Sequence, residues 1–367
     1  MASQQMVRAA VMPAPNVPIE LREIPWPALE PGSAMLKTLY SEVCGTDVHL
    51  HHGRLSGVPY PIVPGHVSVG HLAAIRGEIA DVDGTVFREG DLVTFLDVHE
   101  TCGRCYECLV TKQTTRCPRR KVYGISYGVA DGPLGGWADH IWMKPGVKLL
   151  RIPEGVDPAT FIAGGCGLVT SVHAIERGEV RLGTSVVVLG AGPVGQASIA
   201  LAKLSGAHPI IAVGAPASRL EFAQRMGASH TISLDVPPAE RAAQVRAITG
   251  GHGADVVIEA AGDPSAVGQA LDAVRDGGRV VIAGQYTDGG DTVLNPHWQI
   301  NRKHVEIRGC WGCDFSHFHR AVQLVAEQGR ALPWIESISA RYGLDRANEA
   351  LAAVASRAVV KALIVPN

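Results

Sequence analysis

Residues 185–207 read SVVVLGAGPVGQASIALAKLSGA, and this stretch decides the fold of the second half of the chain. An apolar, β-branched run is followed by a glycine-rich turn and then by a segment compatible with a helix. Gly190, Gly192 and Gly195 form G-x-G-x-x-G in the strand–turn–helix context that a dinucleotide site requires. Such glycines permit a tight turn and let the backbone approach a pyrophosphate at the helix N-terminus. The stretch predicts a nucleotide-binding unit; a glycine-rich turn without a ligand is the alternative.

Further apolar runs extend this unit into a repeating pattern. Residues 209–214, 255–260 and 279–284 have the composition of buried parallel strands, and helix-compatible segments lie between them. Strands and helices in alternation are typical of a doubly wound α/β domain. We place this domain at residues 166–308.

The chain on either side of this domain has a different character. Residues 1–165 contain short β-like runs broken by glycine and proline, which predict a β-rich, barrel-like domain. Residues 309–367 begin with a helix-like run and finish in the strand-like KALIVP. We treat this last part as a third segment of the chain.

The end of the second strand in the α/β domain bears on the choice of cofactor. An NAD-specific site usually carries an acidic residue here, bonded to the ribose 2′-hydroxyl. This chain has Gly214 followed by APASR (215–219), so the acid is missing. Ser218 and Arg219 could hold the 2′-phosphate of NADP, whereas Arg219 could equally contact the ribose of NAD or begin a helix in solvent. The sequence predicts NAD or NADP and does not choose between them.

A second motif consists of four cysteines spaced Cys-x2-Cys-x2-Cys-x8-Cys, namely Cys102, Cys105, Cys108 and Cys117. Thiolates at such spacings are typical of a closed, tetrahedral structural zinc site. Disulfides are the alternative, but two-residue spacings make poor disulfide loops. The sequence predicts a structural zinc lobe at about residues 100–120.

Composition limits the class of protein. The chain has 367 residues, 46% hydrophobic and 19% charged, with a formal net charge of −2, as in an ordinary folded protein. There is no basic surplus for nucleic acid, and we expect no nucleic-acid partner. The N-terminus lacks the apolar stretch of a secretory signal, and no run of about 18 apolar residues suggests a membrane span. We therefore expect no membrane association and a cytoplasmic location, where cysteines stay reduced.

Three separated motifs complete the pattern. Cys44 begins C-G-T-D-x-H, His66 ends P-x-x-P-G-H, and Cys166 lies in GGCGLVTSVHA. Taken singly, each has an ordinary structural explanation, such as a buried apolar thiol. Together with the four-cysteine lobe, GAGPVG and IEAAG, in this order, they resemble the zinc-dependent medium-chain alcohol dehydrogenases over essentially the whole chain. The resemblance implies a GroES-like β-barrel catalytic domain, a Rossmann domain and a C-terminal return to the catalytic domain.

The resemblance also implies a catalytic centre. In that family a second zinc is held by residues matching Cys44, His66 and Cys166, with a fourth position open for water or substrate. Thr46 matches the hydroxyl that accepts the alcohol proton, and His49 matches the residue that releases it to solvent through a short relay. The resemblance thus implies two zinc ions per chain.

Several further residues match family positions. Asp47 matches the carboxylate that orients the ligand histidine. Val194 and Thr170 match positions that flank the nicotinamide, and Pro193 lies beside Val194 in the glycine turn. Lys361 matches a basic residue that contacts the pyrophosphate. The family usually carries Glu directly after the ligand histidine, where this chain has Val67.

We therefore predict a zinc-dependent enzyme that oxidises a primary or secondary alcohol reversibly with NAD or NADP, as a homodimer or homotetramer. A polyol or amino-alcohol dehydrogenase of the same fold is the alternative. A zinc-independent reductase would have no use for the ligand set, and a non-catalytic zinc-ribbon protein would hold one zinc rather than two. Cys310 and Cys313 form a further C-x-x-C, interpreted as a strand end or as a redox pair.

Overall fold

The computed structural model describes residues 5–328 and 331–366. Within these residues the chain divides into two compact units. The first unit contains residues 5–165, 314–328 and 334–366, and the second contains residues 166–313 and 331–333. The first unit is therefore built from segments that are far apart in sequence.

The strands follow one another along the described residues as β1 (Met6–Val11), β2 (Glu20–Pro25), β3 (Ser33–Val43), β4 (Ser68–Arg76), β5 (Leu92–Phe95), β6 (His140–Met143), β7 (Leu149–Arg151), β8 (Val186–Leu189), β9 (Ile210–Gly214), β10 (His230–Ser233), β11 (Ala254–Glu259), β12 (Val274–Ile282), β13 (Glu306–Gly309), β14 (Ile338–Tyr342) and β15 (Lys361–Ile364). The α-helices are α1 (Gly45–His51), α2 (Tyr106–Leu109), α3 (Pro158–Gly178), α4 (Pro193–Leu204), α5 (Ala217–Met226), α6 (Pro238–Ile248), α7 (Ser265–Ala273), α8 (Phe315–Gln328) and α9 (Ala347–Ala355).

The first unit is dominated by a β-sheet in the order β14-β15-β3-β4-β5-β7, with β6 also paired to β3. Most neighbours are antiparallel, while β14 and β15 run parallel. The strands β1 and β2 form a separate antiparallel pair. Trp137, Tyr123 and Met35 are fully buried in the apolar core of this unit. Large side chains removed from water supply most of the favourable free energy of such a fold.

The second unit contains a parallel sheet in the order β10-β9-β8-β11-β12-β13. Numbered by appearance within the unit, this is the order 3-2-1-4-5-6 of a doubly wound dinucleotide-binding domain. All four residues of β8 are buried, which explains why its sequence is a continuous apolar run. The chain reverses its winding between β8 and β11, and ligands of such sheets bind at the carboxyl ends of the strands at that point. The predicted doubly wound domain is confirmed.

Helix α3 is long and apolar enough to cross a membrane by length and composition alone. However, 72% of its most apolar window is buried inside the protein, as expected of a core helix. The helix also contains a kink, because Gly165 has a φ of 53° that breaks the helical backbone. Cys166 follows this kink directly.

Candidate active site

The glycine turn joins β8 to helix α4. Gly190 has a φ of +110°, and a Cβ there would lie 2.7 Å from the carbonyl carbon of Ala260. A Cβ on Gly195 would overlap the carbonyl oxygen of Gly190. Both glycines are therefore required by the fold itself. Gly192 differs, because it caps α4 and a Cβ there would meet no atom within 4 Å. Open space at a helix N-terminus is what a pyrophosphate requires.

The first turn of α4 follows this cap. Pro193 occupies the first helical position, where a missing N–H has no cost to the helix. The carbonyl oxygen of Val194 accepts a hydrogen bond of 2.9 Å from Ser171 Oγ, which itself accepts a bond from Ser198 Oγ. The sequence did not point to Ser171, although it lies one residue after Thr170.

The end of β9 lies close to the same turn. A Cβ on Gly214 would lie 2.6 Å from the Cβ of Ala191, so only glycine fits where the two segments meet. Gln196 Nε2 donates a hydrogen bond of 2.8 Å to the carbonyl oxygen of Arg219, which fixes the start of α5. Residues 215–218 are exposed and contain no carboxylate, so the side of the site that selects between NAD and NADP lacks a repelling charge.

Glu259 is a residue of this region that the sequence did not single out. It is buried at the end of β11, and its Oε1 accepts hydrogen bonds of 2.8 Å from the backbone N–H groups of Ala261 and Gly262. Burial raises the pKa of the Glu259 carboxyl. The side chain shapes the loop that follows β11, next to Gly190. In the sequence, the signal that could have revealed Glu259 was an acidic residue within the otherwise apolar IEAAG run.

The residues Cys44, His66 and Cys166 come together. One donor atom from each lies within 4.8 Å of the others. Cys44 Sγ and His66 Nε2 are 3.8 Å apart. Zinc bonds of about 2.3 Å to sulfur and about 2.05 Å to nitrogen at a tetrahedral angle would place these atoms about 3.6 Å apart. The donor set and its spacing therefore fit a zinc ion.

The charges around this group favour a cation. Burial by itself would disfavour the charged imidazole, but the thiolate of Cys44, with Asp47 and Asp97, raises the pKa of His66 to about 10. Burial, followed by the nearby Cys44 thiolate, raises the pKa of Asp47 well above its usual range. The Cys44 thiolate and the Asp47 carboxyl thus lie in one buried region with His66, and this region favours positive charge. A divalent metal ion would take the place of the proton bound there.

Helix α1 carries Thr46 and His49, the two residues predicted to move the alcohol proton. Cys44 is the N-cap of α1, and its Sγ accepts a hydrogen bond of 3.2 Å from the backbone N–H of Thr46. Thr46 and His49 are three residues apart on this helix and so share one face. Burial, followed by the nearby Arg54, lowers the pKa of His49. His49 is therefore neutral at pH 7 and able to accept a proton.

Asp47 has partners other than the one that the resemblance implied. Its Oδ2 accepts a hydrogen bond of 2.9 Å from the backbone N–H of Cys44, and its Oδ1 accepts one of 3.3 Å from that of Gly65. Nδ1 of His66 is buried and has no hydrogen-bond partner among the described residues. Asp47 therefore fixes the backbone beside two candidate ligands instead of bonding to the imidazole ring. The N-cap position of Cys44 explains why Asp47 bonds to the backbone, because a carboxylate three residues after the cap completes a capping box.

Lys361 also has a different partner from the predicted one. Its Nζ lies 2.5 Å from Oε1 of Glu42, and both side chains are about 1% exposed. A buried ammonium held in an internal ion pair has little freedom to reach a pyrophosphate. The structure thus gives Lys361 an internal partner, Glu42, in place of the predicted pyrophosphate.

The four cysteines of the lobe also converge. Their sulfur atoms all lie within 4.8 Å of one another, and none forms a disulfide. The Sγ atoms of Cys105 and Cys108 are 3.5 Å apart, and those of Cys105 and Cys117 are 3.9 Å apart. A tetrahedron with zinc–sulfur bonds of about 2.3 Å has edges of about 3.8 Å. The backbone N–H of Arg104 is the main cause that lowers the pKa of Cys102 to about 6, which favours the thiolate.

The C-x-x-C at Cys310 and Cys313 lacks, at Cys310, the lowered thiol pKa that favours redox chemistry. Burial raises the pKa of Cys310 to about 12, so its thiol stays protonated. The two thiols contact different atoms of Thr170, the carbonyl oxygen at 3.9 Å and Oγ1 at 3.8 Å. Between them, Trp311 stacks on Tyr286 with a centroid separation of 5.9 Å. This segment packs against α3 around Thr170.

The sequence and the fold of this chain are similar to those of known proteins. Residues 30–154 match the model of the alcohol dehydrogenase GroES-like domain, and residues 193–327 match that of the zinc-binding dehydrogenase. The 5-exo-hydroxycamphor dehydrogenase of Pseudomonas putida is 33% identical over 98% of this chain and 99% of its own. An alcohol dehydrogenase structure from Thermotoga maritima superimposes with a TM-score of 0.94 at 31% identity, covering 99% of this chain and 100% of that one. A putative zinc-binding dehydrogenase from Sinorhizobium meliloti 1021, bound to NADP, gives 0.86 at 27% identity, covering 99% and 100%.

The chain belongs to the zinc-dependent medium-chain dehydrogenase/reductase family. It is an enzyme, an alcohol oxidoreductase that uses zinc and NAD or NADP and acts on a small-molecule substrate. The predicted family, GroES-like and Rossmann folds, and reaction class are confirmed. The choice between NAD and NADP stays open.

Proposed function

We propose that the enzyme interconverts a primary or secondary alcohol and its aldehyde or ketone at a zinc ion held by Cys44, His66 and Cys166. The observation that carries this proposal is the convergence of three donor atoms within 4.8 Å from three distant segments of the chain. Zinc bound there supplies a Lewis acid that lowers the pKa of the alcohol hydroxyl. Three protein ligands leave a fourth position for substrate.

The residues of helix α1 supply the proton path in this proposal. Thr46 Oγ1 accepts the proton of the alcohol, and His49 takes it over and releases it to solvent. The half-buried position of His49 and its lowered pKa support this role, because a neutral imidazole is ready to accept a proton at pH 7. A nicotinamide held beside Thr170 and Val194 would supply the acceptor for the hydride of the alcohol carbon.

The proposed catalytic zinc, together with a structural zinc in the four-cysteine lobe, can be tested directly. The zinc-loaded protein would be assayed for alcohol-dependent reduction of NAD and of NADP, with simple, cyclic secondary, aromatic, polyol and amino alcohols, and its zinc content would be measured. Because 5-exo-hydroxycamphor dehydrogenase is a relative, we include bicyclic alcohols among the cyclic ones. Turnover with about two zinc ions per chain is the expected result. A single zinc per chain in the active enzyme would contradict the proposal. Preference for polyols would favour the alternative substrate class.

The proton path predicts a specific effect of Thr46→Val. This change removes the hydroxyl but keeps the shape of the side chain, so kcat for alcohol oxidation is expected to fall about 10²- to 10⁴-fold. The zinc content is expected to stay at two per chain. Thr46→Ser, which keeps the hydroxyl, serves as the matched control and is expected to retain most activity. Wild-type kcat in the valine variant would rule out Thr46 as the proton acceptor.

The glycine turn predicts that Gly192→Ala weakens cofactor binding while the protein still folds. A Cβ at Gly192 meets nothing in the protein but would occupy the space proposed for the pyrophosphate. We expect Kd for NAD or NADP to rise at least about tenfold, or about 1.4 kcal/mol. The free energy of unfolding is expected to fall by no more than about 1 kcal/mol, because alanine is a poorer N-cap than glycine.

The control for this change is Gly309→Ala, in β13 of the same unit, where an added Cβ also meets no atom within 4 Å. This control is expected to change neither Kd nor stability. Titration of each protein with NADH and with NADPH, followed by the fluorescence of the reduced nicotinamide, gives the measurement. Equal cofactor affinity in wild type and Gly192→Ala would mean that the pyrophosphate does not approach the turn.

We further propose a homodimer or homotetramer and a cytoplasmic location. The family resemblance supports the assembly, and light scattering on the purified protein tests it. None of the eight cysteines, all of which lie in the described residues, forms a disulfide, which suits a reducing compartment.

A further inference from the structure

The first unit contains a buried ion pair that the proposed proton path does not use. Glu42 Oε1 and Lys361 Nζ are 2.5 Å apart, and both side chains are almost fully enclosed. Taking two charges out of water is costly, and such a pair is often no better for stability than well-packed apolar side chains. Its presence therefore calls for a role other than stability.

The place of the pair suggests that role. Glu42 lies on β3, two residues before Cys44, and Lys361 begins the neighbouring strand β15, where Ala362 is opposite Val43. The ion pair thus joins the two strands directly beside Cys44.

The same pair reaches the segments of the other two candidate ligands. The backbone N–H of Glu42 donates a hydrogen bond of 2.9 Å to the carbonyl oxygen of Val67, the residue after His66. Gly165, the residue before Cys166, packs against the charged groups. A Cβ there would overlap Glu42 Oε2 and lie 2.5 Å from Lys361 Nζ. Through its backbone Glu42 is therefore bonded to the residue after His66, and the ion pair itself packs against the residue before Cys166 and joins the two strands beside Cys44.

We infer that the Glu42–Lys361 pair is a positioning element that holds the three ligand segments at the spacing required by the catalytic zinc. This inference rests on the proposed zinc site. Glu42 is not part of the group of converging donor atoms, so it acts through the ligands rather than as one.

The inference predicts faster release of one zinc ion when the pair is removed. The variants are Glu42→Gln, Lys361→Met and the double variant, each compared with wild type as the two-zinc enzyme. Release to a coloured chelator would be followed over time, with the four-cysteine site of the same molecule as the internal reference. We expect release from the three-ligand site to accelerate about 10- to 100-fold, as is typical when groups supporting ligands are lost. Release from the four-cysteine site is expected to stay unchanged.

A control variant and a cobalt substitution distinguish a loss of ligand positioning from a general loosening of the fold. Arg151→Met removes the cation of another ion-pair cluster in the first unit, with Asp81 and Asp91, and is expected to leave both release rates unchanged. Cobalt substitution reports the ligand geometry directly, and the visible absorption bands of the three-ligand site are expected to shift in the pair variants. Lys361→Arg, which keeps the charge, is expected to restore most of the wild-type release rate.

The outcomes distinguish the inference from the function on which it rests. Wild type with a single zinc, in the four-cysteine site, would overturn the proposed function. Wild type with two zinc ions, but with wild-type release and cobalt spectra in the variants, would overturn only the positioning role. Equal acceleration at both zinc sites would also overturn it, because the pair would then support only the fold. If a single variant does not fold, the double variant decides, since it leaves no unpaired buried charge.

Discussion

Replacing Cys166 by alanine is expected to remove one zinc ion per chain and to lower kcat at least about 10³-fold. A metal acting as Lewis acid contributes several kcal/mol to the transition state, and each 1.4 kcal/mol corresponds to a factor of ten in rate. Two remaining protein donors do not hold a zinc ion in the geometry that catalysis requires. Metal analysis and steady-state kinetics on the same sample give the measurement.

The control for this variant is Cys313→Ala, which removes a thiol of the second unit whose Sγ contacts Thr170 Oγ1. It is expected to retain two zinc ions. A Cys166→Ala enzyme that still holds two zinc ions and turns over normally would show that Cys166 is not a ligand, despite its distance from Cys44 and His66.

The double variant Cys105→Ser/Cys108→Ser is expected to lose the other zinc ion and to open the lobe at about residues 100–120. This lobe has little apolar core of its own, because no residue of α2 is buried and Tyr106 and Leu109 are 65% and 61% exposed. The metal then holds the lobe together, and its loss is expected to lower the free energy of unfolding by about 4–5 kcal/mol.

Limited proteolysis and thermal unfolding measure this effect, with cleavage expected between residues 102 and 117. Leu109→Ser changes an exposed residue in the same lobe and is expected to leave the zinc content and the cleavage pattern unchanged. A lobe that resists protease equally well without its two central cysteines would mean that the backbone alone maintains it.

Local patterns in the sequence predicted those parts of the structure that local chemistry controls. The apolar runs became β8, β9, β11 and the last part of β12, because strand residues buried on both faces of a sheet must be apolar. The glycine turn could be recognised because its close contacts exclude any side chain at Gly190 and Gly195.

The residues that the sequence did not reveal depend on contacts between distant segments. Glu42 and Lys361 are 319 positions apart, and nothing near either of them in the chain indicates a partner. Asp47 looked like a partner for an imidazole, but its position three residues after Cys44 directs it to the backbone instead. The roles of Thr46, His49 and the three ligands stay predictions, since zinc, cofactor and alcohol must be bound to test them.

The position of β15 has a consequence for how the chain folds during synthesis. This strand lies inside the sheet of the first unit, between β14 and β3, yet it follows every described residue of the second unit in the chain. The ribosome therefore delivers the whole doubly wound domain before the strand that covers the edge of β3. Until then β3 presents unpaired backbone groups on that side, a surface prone to wrong strand pairing. The early β-rich segment is thus vulnerable while the later domain is being made, and only the arrival of Lys361–Ile364 closes it.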